Sequence, residues 1–139
     1  MSTAFEWPVR IYWEDTDAGG IVFYANYLKF MERARTEWLR AAGVGQQALA
    51  DGHDLIFVVT DTRLRYRAPA RLDDLLHVSV EPVELGRARL VLAQRVRLGD
   101  TTLVEGEIAV ACVERATMRP RRIPSDLLSR LAAVPAPHA

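Results

Sequence analysis

The chain has 139 residues, of which 50% are hydrophobic and 26% charged, and its 18 basic and 18 acidic residues give a formal net charge of zero. This balance is typical of one folded domain and excludes a chain too polar to bury a core. It also argues against general binding to nucleic acid or to an anionic membrane, because both depend on an excess of positive charge.

Cysteine usage and hydropathy indicate where the protein works. Cys112 is the single cysteine, so no internal disulfide is possible and a reducing compartment is favoured. Residues 1–13 lack the pattern of a secretion signal, and no apolar run approaches the roughly 20 residues that cross a bilayer. We therefore expect a cytoplasmic protein without a transmembrane segment, with one domain over residues 1–134 and a disordered tail at 135–139.

The first half of the chain predicts one short strand and one long helix. The strand is expected at Val9–Trp13, after a proline. The helix begins at Tyr24 or Ala25 and ends at Ala42, where Gly43 supplies a typical stop. Apolar residues recur along it at helical spacing, which predicts a core helix: Tyr27, Phe30, Met31, Ala34 and Trp38.

The second half predicts a sheet. Four β-type runs are expected, at Leu55–Tyr66, Leu75–Leu85, Arg87–Leu98 and Thr102–Glu114. Short turns join the last three runs, which predicts antiparallel pairing, and a short helix from Ser125 or Asp126 to Leu131 follows. One antiparallel sheet wrapped around one apolar helix is an α+β fold. Its exposed sheet edges favour a homo-oligomer.

The segment between the first strand and the helix carries the strongest chemical pattern. Asp15 and Asp17 lie two residues apart, so both carboxylates point to one side if Trp13–Asp17 is extended. Gly19 and Gly20 allow a sharp turn and a close ligand approach. The free N–H groups at the start of the helix, near residues 23–25, can polarise a carbonyl. From spacing alone, a carboxylate that caps the turn and one that catalyses acyl transfer are equally compatible with this pattern.

Other candidate groups point to structure rather than chemistry. Cys112 lies within an apolar strand and is expected in the core, and His77 is expected to pack on a sheet face. His53 follows a turn. No set of histidine, cysteine and carboxylate residues has metal-ligand spacing, and no phosphate-binding glycine loop is present, so neither a metal site nor a nucleotide cofactor is predicted.

Three stretches resemble a known family. They are Tyr12–Arg40, which contains E-D-T-D-A-G-G-I-V-F-Y-A-N-Y, then Tyr66–Leu75, and finally Pro120–Pro124. Together they resemble hotdog-fold acyl-CoA thioesterases, in particular the Tol-Pal-associated (YbgC-like) and 4-hydroxybenzoyl-CoA thioesterase branch. The resemblance implies a hotdog domain whose dimer joins two sheets edge to edge, often paired into a homotetramer, with active sites at the dimer interface.

The resemblance also implies roles for individual residues. Asp17 is the catalytic carboxylate, acting as nucleophile or as general base, and the backbone N–H of Tyr24 is the oxyanion donor. The substrate-binding positions are Asp15, Gly20, Phe23, Asn26 and Tyr27, and the candidates for the coenzyme A phosphates are Arg87 and Arg89, together with the cluster Arg119, Arg121 and Arg122. No cofactor is implied, because coenzyme A is part of the substrate.

The leading interpretation is a thioesterase that releases coenzyme A and a carboxylic acid from short-chain or aromatic acyl-CoA. A thiol with a pKa of about 8.5 leaves without strong acid assistance, so a carboxylate and an oxyanion site suffice. Two alternatives stay open: a hotdog hydratase or dehydratase, and a non-catalytic acyl-CoA-binding partner of envelope proteins such as Tol-Pal or of lipid metabolism. Tyr24 stands where the Tol-Pal branch commonly has histidine, which disfavours histidine-assisted chemistry.

Overall fold

A computed structural model describes residues 4–134 of the chain. Five strands form a single antiparallel sheet in the order β1-β3-β4-β5-β2. The strands are β1 (Phe5–Arg10), β2 (Leu55–Tyr66), β3 (Leu75–Leu85), β4 (Arg89–Leu98) and β5 (Thr101–Glu114), and the helices are α1 (Asn26–Ala41), α2 (Gln46–His53) and α3 (Ser125–Ala132). The predicted disordered tail lies outside the described residues.

The predicted α+β architecture is confirmed. Helix α1 packs on the sheet through the apolar stripe that its sequence predicts, and Phe30, Met31 and Ala34 are completely buried. Opposite them lie the inward side chains of the strands, and together these residues form one hydrophobic core. Gly43 has a φ of +83° just beyond the end of α1, as expected for its stop.

The first strand differs from its prediction at Val9–Trp13, since β1 spans Phe5–Arg10 and pairs with β3. Pro8 lies within this strand rather than before it, which is tolerated because β1 is at the edge of the sheet. Residues 13–15 instead form a turn of 3₁₀-helix. The condition under which Asp15 and Asp17 would point to one side, an extended Trp13–Asp17 segment, is therefore not met.

The observed ends of the helices differ slightly from the predicted ones, and the structure contains one helix that was not predicted. Helix α1 begins at Asn26, one or two residues later than predicted, because Ala25 is its N-terminal cap. Helix α2 was not predicted, since it has eight residues, contains Gly52 and buries only Leu49 and Ala50. The ends of β4, β5 and α3 each move by one or two residues from the predicted bounds, which is the usual uncertainty of element termini.

The two sheet edges have different properties. Strand β1 is a short edge that contains a proline, whereas β2 is an edge of 12 residues that pairs, among residues 4–134, with β5 alone. Val59 is 49% exposed on β2. Long unpaired strands of this kind are templates for pairing with another chain.

Candidate active site

A tight hairpin carries Asp17. Thr16 forms an antiparallel bridge with Val22, and the Asp17 N–H donates to the Ile21 carbonyl at 2.9 Å. The Asp17 Oδ1 accepts the Gly19 N–H at 2.8 Å, and Gly20 closes the turn with a φ of +81°. Within residues 4–134 the other carboxylate oxygen, Oδ2, has no hydrogen bond, and the side chain is exposed. One oxygen therefore fixes the turn while the other remains available for chemistry.

Asp15 has a structural position in the same hairpin. Its Oδ2 accepts the Tyr12 N–H at 2.8 Å. Its backbone carbonyl accepts two hydrogen bonds, from the Phe23 N–H at 3.0 Å and from Asn26 Nδ2 at 2.9 Å. Asp15 and Asn26 thus join the strand that carries Asp17 to the start of α1.

The backbone before α1 presents two adjacent N–H groups. The Asn26 N–H donates to the Phe23 carbonyl at 2.8 Å, which closes a turn around Tyr24 and Ala25. Across the described part of the chain, the N–H groups of Tyr24 and Ala25 have no acceptor. The Phe23 N–H, which belongs to the predicted set of free donors, is instead bonded to Asp15. Two unpaired donors at a helix start are suited to a developing negative charge.

Aromatic side chains surround this turn. The Tyr24 ring lies edge-on to Phe23 and to Tyr66, with centroid distances of 5.0 and 6.1 Å. Tyr27 is buried, and its hydroxyl accepts the Ala70 N–H at 3.1 Å. Phe23 and Tyr24 are exposed, so they are free to contact a ligand, whereas Tyr27 holds the helix against the 66–75 segment.

Tyr66 was not among the predicted site residues. Its hydroxyl donates to the Tyr24 carbonyl at 3.2 Å, and burial is the main cause that raises its pKa. The only sequence signal is an aromatic residue at the end of a predicted strand. Its partner is 42 residues away along the chain, so local patterns do not reveal the contact.

The structure separates the predicted phosphate-binding arginines. Arg87 and Arg122 line one surface depression with Ser125 at the start of α3. Arg89 lines a different depression with Asp61 and Glu107. Arg119 is exposed, while Arg121 is bound to Glu114 at 2.7 Å.

Arg87 and Arg122 lie at the opposite end of the sheet from Asp17. The turn between β3 and β4 is beside the beginning of β2, because Arg89 pairs with Ala111 while Leu55 pairs with Glu114. The Asp17 hairpin is beside the end of β2, where Tyr66 contacts Tyr24. Strand β2 has 12 residues, so about 35–40 Å separates these two ends.

A cavity of about 160 Å³ lies between α1 and the exposed edge strand β2. Its apolar lining is Trp38, Leu39, Phe57, Val59, Leu90, Leu92 and Val110, and its polar lining is Glu32, Arg35, Thr36 and Gln46. Arg35 donates to Gln94 Oε1 at 2.9 Å, and burial lowers the pKa of its guanidinium. Gln94 is completely buried and bonds through Nε2 to the carbonyls of Met31 and Ser79. Sequence reasoning missed this cavity because its walls come from five elements.

Three residues that the sequence analysis assigned to structure rather than catalysis are Cys112, His77 and His53. Cys112 is completely buried, as predicted. His77 is half-buried on β3, and His53 ends α2, where it lines a cavity with Leu127 and Arg130. Over residues 4–134, no three histidine, cysteine or carboxylate side chains are grouped to hold a metal ion. None of the helices in that range is long and apolar enough to span a membrane.

Comparisons with known proteins agree with this architecture. The model of the family described as Thioesterase superfamily matches residues 19–105. The Acyl-CoA thioester hydrolase YbgC of Escherichia coli is 45% identical over 129 residues, which is 92% of this chain and 96% of that protein. The Acyl-CoA thioesterase YbgC of Haemophilus influenzae is 42% identical over 127 residues, covering 91% and 93%.

A solved structure gives the same result. The probable thioesterase from Bartonella henselae superposes with a TM-score of 0.84 and 34% identity, over 87% of this chain and 99% of that one. The segment that the family model matches, residues 19–105, includes Gly19 and Gly20 of the hairpin, the whole of α1 and most of the sheet. The chain therefore belongs to the thioesterase superfamily, as a hotdog-fold member similar to YbgC.

Proposed function

We propose that the protein hydrolyses acyl-CoA thioesters to coenzyme A and a carboxylic acid. The observation that carries this proposal is a hairpin with an unbonded Asp17 carboxylate oxygen, which the Asp15 carbonyl joins to the turn that contains the unpaired N–H groups of Tyr24 and Ala25. The names of the YbgC relatives support the same reaction.

In the proposed reaction, the thioester carbonyl oxygen binds at the Tyr24 N–H, where negative charge develops as the carbonyl is attacked. Asp17 either attacks the carbonyl carbon through Oδ2 or removes a proton from an attacking water. The carbon–sulfur bond then breaks and coenzyme A leaves as a thiolate. In the nucleophile pathway, water then hydrolyses the acyl-aspartyl anhydride.

A single turnover in isotopically labelled water identifies a nucleophilic Asp17 whose own carboxyl carbon is attacked by water. If Asp17 is a general base, or if water attacks the acyl carbon of the anhydride, the acid formed in the first turnover contains the label. If Asp17 is a nucleophile and water attacks its own carboxyl carbon, the label enters Asp17 and the first acid released is unlabelled. Mass spectrometry of the acid and of the peptide that contains Asp17 reads both outcomes.

The site becomes complete in a homodimer that pairs β2 with β2 of a second copy. The exposed length of β2 and the exposed side chain of Val59 on it support this contact. A two-fold antiparallel pairing brings the start of α1 in one copy beside the Arg87 end of the other. Arg87 and Arg122 of one copy then bind the coenzyme A phosphates of a substrate held by Asp17 of the other.

The cavity beside β2 supports a short-chain or aromatic acyl group. Phe57 and Val59 of the same edge strand line it, and its volume of about 160 Å³ resembles that of a cavity of about 150 Å³ that accommodates benzene. A longer alkyl chain needs more space than this cavity provides. Further pairing of dimers into a tetramer and a partnership with Tol-Pal proteins rest on the family resemblance. A cytoplasmic location rests on the single cysteine and the hydropathy of the sequence.

The test is thiol release by the purified protein from a panel of thioesters, from acetyl- to palmitoyl-CoA with benzoyl-type esters added. We expect the highest kcat/KM for short-chain or aromatic substrates. No release from any substrate, combined with tight acyl-CoA binding, would instead favour a non-catalytic acyl-CoA-binding protein. Hydration of enoyl-CoA would favour a hydratase.

A further inference from the structure

The two unpaired N–H groups belong to peptide units whose carbonyls are both hydrogen-bonded. The Tyr24 N–H shares its peptide unit with the Phe23 carbonyl, which accepts the Asn26 N–H at 2.8 Å. The Ala25 N–H shares its unit with the Tyr24 carbonyl, which accepts the Tyr66 hydroxyl at 3.2 Å. In each of these two peptide units, the N–H is free and the carbonyl, which points the opposite way in the same plane, is held by a hydrogen bond.

This arrangement affects both the direction and the strength of the donors. In a trans peptide the N–H points away from the carbonyl, so a bond to the carbonyl fixes where the N–H points. Consecutive hydrogen bonds through one peptide unit also polarise each other, which makes the N–H a better donor. Asn26 supplies this support for Tyr24, and Tyr66 supplies it for Ala25.

We propose that the Ala25 N–H is a second oxyanion donor beside that of Tyr24, and that Tyr66 is the positioning residue for its peptide unit. This inference rests on the proposed thioesterase function. It adds a donor and a supporting side chain that the family resemblance did not supply.

Tyr66 is well placed for this role. It ends β2, and its ring packs at a centroid distance of 5.8 Å from Tyr27, which is buried and bonded to Ala70. Its hydroxyl is therefore carried by a strand and a packed ring. Because burial raises the pKa of Tyr66, the hydroxyl keeps its proton and remains a donor at neutral pH.

The test replaces Tyr66→Phe, which removes one oxygen and keeps the ring. We expect kcat to fall about two- to tenfold, the range for loss of one hydrogen bond, while KM changes little. The matched control is Tyr12→Phe, because Tyr12 is 62% exposed and its hydroxyl has no hydrogen bond within the described residues. The control should keep the parent kcat, and thermal unfolding of both variants checks the fold.

A second readout separates positioning from ordinary binding. An S-alkyl-CoA thioether resembles the substrate but has no carbonyl, so its inhibition constant does not depend on the oxyanion donors. We expect this constant to be equal for the parent protein and Tyr66→Phe. A parallel loss of kcat and thioether affinity would overturn the positioning role.

A third variant tests Ala25 itself. Replacement of Ala25 by lactic acid turns the amide into an ester, which removes the N–H and makes the Tyr24 carbonyl a weaker acceptor for the Tyr66 hydroxyl. We expect a lower kcat, and little further loss when Tyr66→Phe is added, because both changes act on one peptide unit. An unchanged kcat in either single variant would overturn the inference while leaving the thioesterase function intact. A parent protein inactive on every thioester would overturn both.

Discussion

A single side-chain amide links the two parts of the candidate site. Asn26 Nδ2 donates to the carbonyl of Asp15 at 2.9 Å, and the same carbonyl accepts the Phe23 N–H. Asp15 lies two residues before Asp17, while Asn26 is the first residue of α1. The relative position of the Asp17 carboxylate and the proposed oxyanion donors therefore depends on this contact.

We predict that Asn26→Ala lowers the free energy of unfolding by about 1 kcal/mol, the usual net value of one hydrogen bond. It should also lower kcat, because the hairpin loses its fixed position relative to α1. Urea unfolding and thiol release measure the two effects. Gln47→Ala is the control, since among residues 4–134 its amide bonds only to the exposed side chain of Asp51. Equal unfolding curves for the two variants would argue against this role.

Cys112 gives a second prediction at the level of single residues. Its thiol is completely buried, and burial raises its pKa. Because the thiolate is the reactive form, the folded protein should react with a disulfide reagent at neutral pH far more slowly than the protein unfolded in urea. Equal rates would contradict the burial. The slow reaction also allows thiol reagents to detect released coenzyme A without interference.

At the level of elements, Gly106 shows how closely β2 and β5 approach. A Cβ at this position would lie 2.3 Å from Leu64 Cδ2 and 2.6 Å from the Arg63 carbonyl oxygen. The leucine can move, but the backbone oxygen is fixed by the strand pairing of Arg63 with Glu107. Only glycine fits here without a shift of the strands.

We predict that Gly106→Ala destabilises the fold by about 1–3 kcal/mol through overpacking. The matched change Gly52→Ala should stabilise it by up to about 1 kcal/mol, because Gly52 is in α2 and has open space around it. Urea unfolding of both variants tests the pair. A loss of stability in Gly52→Ala, or none in Gly106→Ala, would contradict the packing described here.

The sequence predicted those elements whose burial leaves a regular pattern. Helix α1 has a complete apolar stripe, and β2 to β5 are long runs bounded by turn residues, so all five were recognised. Strand β1 was placed too late because Pro8 is an exception permitted only at a sheet edge. Helix α2 buries two side chains along its length, too few to give a periodic signal.

The residues of the candidate site that are adjacent in sequence could be proposed from the sequence, whereas those that the fold brings together could not. Asp17, Gly20 and Tyr24 lie within eight positions of one another, so one motif contained them. Long-range contacts place Tyr66 beside Tyr24, Gln94 beside Arg35, and Arg87 in the same surface depression as Arg122. The motif also could not show that Asp15 bonds to Tyr12, because that contact requires the 3₁₀ turn.

At the scale of the whole molecule, the proposed dimer depends on β2. We predict that the parent protein is at least a dimer by light scattering, and that Val59→Lys shifts it toward monomer with a loss of activity. Val59 is 49% exposed and lies on the edge strand. Val83→Lys is the matched control, because Val83 is 59% exposed on β3. A monomeric, fully active parent protein would contradict the composite site.

The most direct test of the account is the kcat/KM of Asp17→Asn on the best acyl-CoA substrate. Asparagine keeps the size of the side chain and the hydrogen bond to Gly19, but it has no carboxylate to attack or to accept a proton. We expect a loss of about 100-fold or more, as for removal of a general base, while Asp100→Asn, an exposed turn residue at the same end of the sheet, keeps the parent activity. Hydrolysis by Asp17→Asn at the parent rate would contradict the account.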